Sequence, residues 1–299
     1  MRIDIMEYKP KKNILKIIAI FILSIILIAL FSVLGIKCAK EYKNNIKEDK
    51  KQQLQLKEEN KKNENKEQNV SKDKNENSNN KKENRDKLNI SDIYKKDSKI
   101  AYLTFDDGPS QVVTPLILDV LKEEQIKATF FVLGYNAKKN PEILKRAYEE
   151  GHYIANHGYS HDYAKIYKNA KSVLEEYNKT EKAIKEAIKN NEYSSNLFRF
   201  TGGYDGGKYA NIKKEAAKLL KQNNILYIDW NVLTKDAQGA NTKEKIINNI
   251  KKQTKDKGNI VVLMHDSSSK ILTYETLKDV IKYLRNEGYT FENFYSIMQ

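Results

Sequence analysis

Hydrophobic positions fall into three regimes along the 299-residue chain. Ile17 to Ile36 is an unbroken run of 20 uncharged, mostly aliphatic residues, which at about 1.5 Å per residue matches the roughly 30 Å hydrocarbon core of a bilayer. It predicts a transmembrane helix; a cleaved secretory signal would carry a shorter apolar core followed by a small-residue processing site. Residues 37–98 are mostly Lys, Asn, Glu and Gln, too poor in apolar side chains to offset the entropy of ordering. This stretch reads as a disordered linker. Glu48 to Glu67 holds good helix formers but no apolar stripe to pack.

From Lys99 onward the pattern changes to short apolar runs alternating with amphipathic periods. Strands are predicted at Lys99–Phe105, Ala128–Leu133, Tyr153–Ala155, Leu197–Phe200, Ile225–Trp230 and Ile260–Met264. Helices are predicted at Val113–Gln125, Pro141–Glu150, Asn169–Lys189, Ile212–Lys221, Lys243–Lys255 and Tyr274–Asn286, the last closed by Gly288. Repeated strand–helix units imply a parallel sheet, and their number suits one barrel or barrel-like α/β domain over residues 99–299. The expected organisation is a short basic cytoplasmic segment (1–16), the anchor (17–36), the linker (37–98) and this domain.

Net charge is +14, of which residues 99–299 contribute +6, with 31 basic against 25 acidic side chains. The excess lies mainly outside the domain, and the domain's basic residues are scattered among Glu along helices, which argues against a nucleic-acid partner. No obligate protein partner is implied. Arg2, Lys9, Lys11, Lys12 and Lys16 precede the apolar run and favour an inside N-terminus, although Lys37, Lys40 and Lys43 follow it. A single cysteine, Cys38, excludes an internal disulfide framework and a thiolate zinc cluster.

Ionisable residues follow the predicted strands at one end. Thr104-Phe105-Asp106-Asp107-Gly108-Pro109 closes the first strand with two carboxylates, and strand carboxyl ends are where α/β folds carry chemistry. On its own Asp-Asp-Gly also suits an acidic surface turn. His157 and His161 follow the third strand, Arg199 lies in the fourth, Asp236 comes after the fifth and His265 after the sixth. In a helical turn His157 and His161 would share a face, and two His with one Asp suit a divalent metal with open positions. His152 has no evident partner and reads as structural.

Together these motifs make residues 99–292 resemble a NodB-type polysaccharide deacetylase of carbohydrate esterase family four. The first motif is complete, the second reads Asn156-His157-Gly158-Tyr159-Ser160-His161, and the last reads Leu263-Met264-His265-Asp266. Two motifs depart from the family pattern. Thr201 stands where Pro is usual in Arg199-Phe200-Thr201-Gly202-Gly203, loosening that turn, and Ala237 follows Asp236 where Trp is usual.

The resemblance implies a distorted (β/α) barrel in which Asp107, His157 and His161 bind zinc or a related divalent ion such as cobalt, nickel or manganese. It implies Asp106 as general base, oriented by Arg199, and His265 as general acid, kept protonated by Asp236. Gly202 would offer its backbone N–H to the oxyanion, Leu263 would meet the acetyl methyl, and Trp230 would touch substrate. The expected activity is N-deacetylation of a cell-wall glycan outside the membrane, peptidoglycan N-acetylglucosamine first. Chitin, xylan, an exopolysaccharide and N-acetylmuramic acid are the alternatives within the class; a glycan-binding pseudoenzyme and a polybasic adhesion protein lie outside it.

Overall fold

The structure is a computed structural model and describes residues 90–94 and 98–298. The expected cytoplasmic segment, membrane span and nearly all of the linker lie outside these residues. No helix among the described residues is long and apolar enough to cross a membrane.

A 3-10 turn, Ile90–Tyr94, leads into β1 (Ile100–Asp106), α1 (Val113–Glu123) and β2 (Thr129–Val132). Then come α2 (Gly134–Lys139), α3 (Pro141–Glu149), β3 (Tyr153–Asn156), α4 (Tyr163–Ile166), α5 (Ala170–Ile188) and β4 (Leu197–Phe198). The chain continues through α6 (Ala210–Gln222), β5 (Leu226–Tyr227), β6 (Val232–Leu233), α7 (Lys243–Thr254) and β7 (Ile260–His265). It closes with α8 (Ile271–Asn286), β8 (Thr290–Glu292) and α9 (Tyr295–Met298).

The strands pair in parallel in the order β5-β4-β3-β2-β1-β7-β6. β7 pairs with β1 from Ala101 to Asp106, while β2 meets β1 at Thr104–Asp106 and β8 meets it at Ile100–Tyr102. The sheet must curl. Laid flat, six spacings of about 4.8 Å would hold β5 and β6 about 29 Å apart. Only four residues connect them, a reach of about 18 Å. No ladder joins these two edges among the described residues, so the expected barrel is an open, curled half-barrel whose gap the chain itself crosses. Ile228 and Asp229 spend their carbonyls there on the Arg199 guanidinium rather than on a strand partner.

Period-two alternation then sorts the side chains. Ala101, Leu103 and Phe105 pack outward beneath the helices, with Ile117 and Leu121 of α1 and Val280 and Leu284 of α8. Tyr102 packs inward with Phe131, Tyr153, Ala155, Leu197 and Val261. Continuing each inward series one step brings Thr104 and Asp106 on β1, His157 after β3, Arg199 after β4, and Leu263 and His265 on β7. Alternation alone therefore aims those side chains toward the mouth of the curl.

Candidate active site

Asp106 and Asp107 diverge because the chain turns between them. Asp106 is the last residue of β1, whereas Asp107 takes a left-handed conformation (φ 77°) and presents its carboxylate differently. Gly108 permits the turn to pack: a Cβ there would lie 2.1 Å from Asp266 Oδ2. Asn136 on α2 donates to the Asp107 carbonyl at 2.7 Å.

Asp106 is buried and held by Arg199, whose Nη1 donates to Asp106 Oδ1 and to Thr104 Oγ1, both at 2.8 Å. Arg199 also donates through Nε to the Ile228 carbonyl (3.2 Å) and through Nη2 to the Asp229 carbonyl (3.1 Å), and lies 3.8 Å above the Phe131 ring. Burial raises the Asp106 carboxyl above the usual carboxylate range, against the downward pull of Arg199. Arg199 thus opposes the burial penalty on the carboxylate while its hydrogen bond fixes the carboxylate's direction.

His157 and His161 follow β3 in a loop, not in the helical turn that would by itself have put both rings on one face. Gly158 (φ 84°) and His161 (φ 55°) are both left-handed, which a helical turn forbids. The loop is pinned from α5: Glu176 Oε2 accepts from Tyr159 N (2.9 Å), Ser160 N (2.7 Å) and Ser160 Oγ (3.0 Å). Asn156 Oδ1 accepts from Gly158 N at 3.0 Å. Among the described residues Asp107, His157 and His161 form one possible metal cluster, their ligand atoms all within 4.8 Å of one another.

The donor set fits a divalent cation. His157 Nδ1 donates to the Arg199 carbonyl at 2.8 Å, which leaves Nε2 as the free ring nitrogen, 3.6 Å from Asp107 Oδ1. His161 Nε2 lies 3.2 Å from the same oxygen, which is buried without a hydrogen-bond partner in the protein. Burial lowers the His157 pKa to about 3, favouring the neutral, ligating imidazole.

Asp236 follows β6 and accepts from His265 Nδ1 at 2.8 Å, from His265 N at 2.7 Å and from Thr273 Oγ1 at 2.8 Å. Burial opposes the imidazolium, but the Asp236 bond and charge, helped by Asp106 and Asp107, raise His265 to about 9.

The remaining expected residues are placed as follows. Gly202 is exposed with φ 75°, and its N–H has no acceptor among the described residues. Thr201 is fully buried, its hydroxyl donating to the His157 carbonyl (3.2 Å) and its own carbonyl accepting from the Tyr167 hydroxyl (2.7 Å). Leu263 is buried on β7 opposite Thr104. Trp230 has its ring 5.8 Å from the Arg199 guanidinium and lines a cavity of about 690 Å³ with Tyr94, Tyr204 and Tyr227. Ala237 is exposed. His152 accepts from the Ala128 N–H at 3.0 Å and packs at a steep angle to the Phe130 ring, a structural place.

Two supporting residues had no sequence signal, Glu176 and Thr273, and Thr104 was visible only as the opening residue of the first motif. Asp266 was visible only as a neighbour of His265; it is fully buried, takes the Thr114 hydroxyl at 2.6 Å, and burial raises its pKa to about 7.

Two carboxylate-paired groups, Asp106 with Arg199 and His265 with Asp236, thus stand at the carboxyl edge of a curled parallel sheet beside an Asp–His–His cluster able to hold a metal. Residues 94–226 match the family described as polysaccharide deacetylase. A peptidoglycan-N-acetylglucosamine deacetylase from Bacillus cereus is 32% identical over 198 residues, covering 65% of this chain and 86% of the relative. The chain belongs to this family. A CE4 esterase from Streptococcus mutans superposes with a TM-score of 0.62 at 31% identity, over 68% of this chain and 89% of that one. The catalytic domain of a peptidoglycan N-acetylglucosamine deacetylase from Eubacterium rectale superposes with a TM-score of 0.60 at 30% identity, over 65% and 88%.

Proposed function

We propose that the protein is a divalent-metal-dependent N-deacetylase of cell-wall polysaccharide, acting on N-acetylglucosamine of peptidoglycan and releasing acetate. The observation that carries this reading is the pairing of Asp106 with Arg199 and of His265 with Asp236 beside the Asp107–His157–His161 cluster. Zinc is the metal best suited to one carboxylate and two imidazoles. Bound there, it would polarise the acetamide carbonyl and lower the pKa of a water.

The chain's own residues do the rest. Asp106, oriented by Arg199, takes the proton of the attacking water. Gly202 N–H donates to the acyl oxygen as charge develops on it. His265, protonated and held by Asp236, gives its proton to the departing amine as the carbon–nitrogen bond breaks, leaving acetate and a free glucosamine nitrogen. The relatives' peptidoglycan activity supports this choice of polymer. The domain would act outside the cell, anchored by residues 17–36 and extended by the linker, which gives reach toward a fixed polymer.

The test is release of acetate by the purified full chain, supplied with zinc, from peptidoglycan and from N-acetylglucosamine oligomers, with and without chelator. Chelator-sensitive acetate is expected. Absence of acetate from both substrates in the metal-loaded protein would sink the proposal.

A further inference from the structure

The loop after β4, Phe200-Thr201-Gly202-Gly203-Tyr204, is held by side chains from three other parts of the chain. The Thr201 carbonyl accepts at 2.7 Å from the hydroxyl of Tyr167, a fully buried residue just after α4. Lys213 Nζ on α6 donates to the Gly203 carbonyl at 2.5 Å. The Tyr204 N–H donates to the carboxylate of Asp229, between β5 and β6, at 2.8 Å to Oδ2 and 3.1 Å to Oδ1. Within the loop the Gly203 N–H closes the turn on the Phe200 carbonyl at 2.8 Å. The Gly202 N–H, with no acceptor among the described residues, is the donor these contacts leave free.

The Thr201 carbonyl and the Gly202 N–H belong to one planar trans peptide, so they point in opposite directions. Fixing the carbonyl therefore aims the N–H. The Gly203–Tyr204 peptide is gripped at both ends, by Lys213 on its oxygen and Asp229 on its nitrogen, which steadies a stretch built on two consecutive glycines. Lys213 is only 5% exposed, and its ammonium lies 5.2 Å from the centre of the Tyr167 ring. Burying an ammonium is costly, and this one meets a loop carbonyl and an aromatic face. Asp229 also reaches the site a second way: its backbone carbonyl accepts from Arg199 Nη2 at 3.1 Å, and Arg199 holds Asp106. One residue thus ties the Gly202 loop to the arginine that orients the neighbouring carboxylate.

We infer that Tyr167 and Asp229 are positioning residues for the Gly202 N–H, with Lys213 supporting both: they lock the peptide that carries this donor and the peptide that closes the Gly202-Gly203 pair. A donor already aimed at the acyl oxygen needs no reorganisation as charge develops there, whereas one on a loose loop must be re-aimed in every turnover. Its loss should therefore fall on kcat. In this chain the three side chains supply the stiffness that Thr201, having no proline ring, does not. The inference rests on the deacetylase reading for the acyl group, while the bracing of the loop is a property of the protein alone.

The experiment compares the zinc-loaded full chain with Tyr167→Phe, Asp229→Ala and Asp229→Asn. Three quantities are read: steady-state kinetics on N-acetylglucosamine oligomers, zinc affinity by titration calorimetry, and the backbone order of Gly202 by heteronuclear relaxation in glycine-labelled protein. Tyr167→Phe and Asp229→Ala should each lose about tenfold in kcat with KM and zinc affinity unchanged, as expected for a misaimed rather than a missing donor. The Gly202 order parameter should fall from a rigid value of about 0.85 toward about 0.6. Asp229→Asn, whose amide oxygen can still accept from the Tyr204 N–H, should recover most of both. Full kcat or unchanged Gly202 order in Tyr167→Phe and Asp229→Ala would overturn the inference, and so would a loss shared equally by zinc affinity, which would mean that the whole site had loosened. Lowered Gly202 order in variants of a wild type that releases no acetate would support the bracing and overturn the deacetylase reading instead.

Discussion

Asp236 grips His265 at two points, with Oδ1 2.8 Å from the ring Nδ1 and Oδ2 2.7 Å from the backbone N–H of the same residue. One carboxylate thus fixes the ring's position, its rotation and its protonation. With its pKa raised to about 9, His265 stays protonated across neutral pH, and the bond from Nδ1 to Asp236 leaves Nε2 as the free ring nitrogen.

Asp236→Asn should remove the charge while keeping the shape. The alkaline limb of kcat/KM should move from near pH 9 toward the ordinary histidine value, with about 30-fold lower activity at pH 8 as the protonated fraction falls. A folded-state pKa above the unfolded one stabilises the protein fully below about pH 6.5 and ceases to do so as pH rises through about 9. The wild type should therefore lose more thermal stability between pH 7 and 10 than the variant. A pH–rate profile with an unmoved alkaline limb in Asp236→Asn would remove His265 from the role of acid.

The two adjacent carboxylates should separate cleanly. Asp107→Ala or His157→Ala takes away a ligand and should abolish both metal content and acetate release, whereas Asp106→Asn should lose activity by at least about 100-fold and keep its metal. Elemental analysis of the purified proteins decides. Metal-free Asp106→Asn, prepared alongside fully loaded wild type, would mean that base and ligand have been assigned to the wrong members of the pair.

Glu176 holds the loop that carries His157 and His161, the two imidazoles proposed to bind the metal. One buried oxygen accepts three hydrogen bonds there, two of them from backbone N–H groups between His157 and His161. Glu176→Ala should weaken metal affinity by about 10- to 100-fold, as removal of outer partners does elsewhere. Glu176→Gln, which can still accept, should recover part of that loss. Titration calorimetry with zinc measures it, and equal affinity in Ala and wild type would leave Glu176 a packing residue only.

Much of the site could be read from the sequence because two simple periods produce it. Inward alternation on β1, β3 and β7 ends on Asp106, His157 and His265, so residue spacing alone gathers them. What could not be read depends on long-range partners. α2 is six residues beginning with Gly134, too short for a helical period, and it forms because Gly134 and Tyr135 hang their N–H groups on the carbonyls of Gly158 and Tyr159. β6 and β8 are two and three residues long, defined by pairing with β7 and β1 rather than by pattern. The curl follows from the four-residue bridge between β5 and β6, which becomes informative only once strand order is known.

An outward-facing domain on a membrane anchor should be severed by protease added to intact cells, because the 37–98 stretch carries many Lys and few apolar residues. The released fragment should appear in the supernatant and the remainder should stay with the membrane. Protection of the chain until the cells are lysed would place the domain inside and remove the cell wall as its substrate.

Ala237 offers the sharpest test of how the groove is built. It follows Asp236 directly, is exposed, and stands where the family resemblance leads one to expect Trp. Replacing an indole by a methyl group removes a large apolar surface from one wall while leaving Asp236 bound to His265 and Thr273. The loss falls equally on ground state and transition state, so it should appear in KM and not in kcat. Restoring the ring with Ala237→Trp should lower KM for short N-acetylglucosamine oligomers about fivefold, or about 1 kcal/mol, with kcat little changed. The same indole would narrow the cleft against strands carrying lactyl or peptide substituents, so deacetylation of intact peptidoglycan should slow relative to oligomers. Steady-state kinetics on the two substrates gives both numbers. Efficient hydrolysis of short oligomers by wild type, unaltered in Ala237→Trp, would show that this wall does not touch the sugar, and the open groove would no longer explain any preference for polymer.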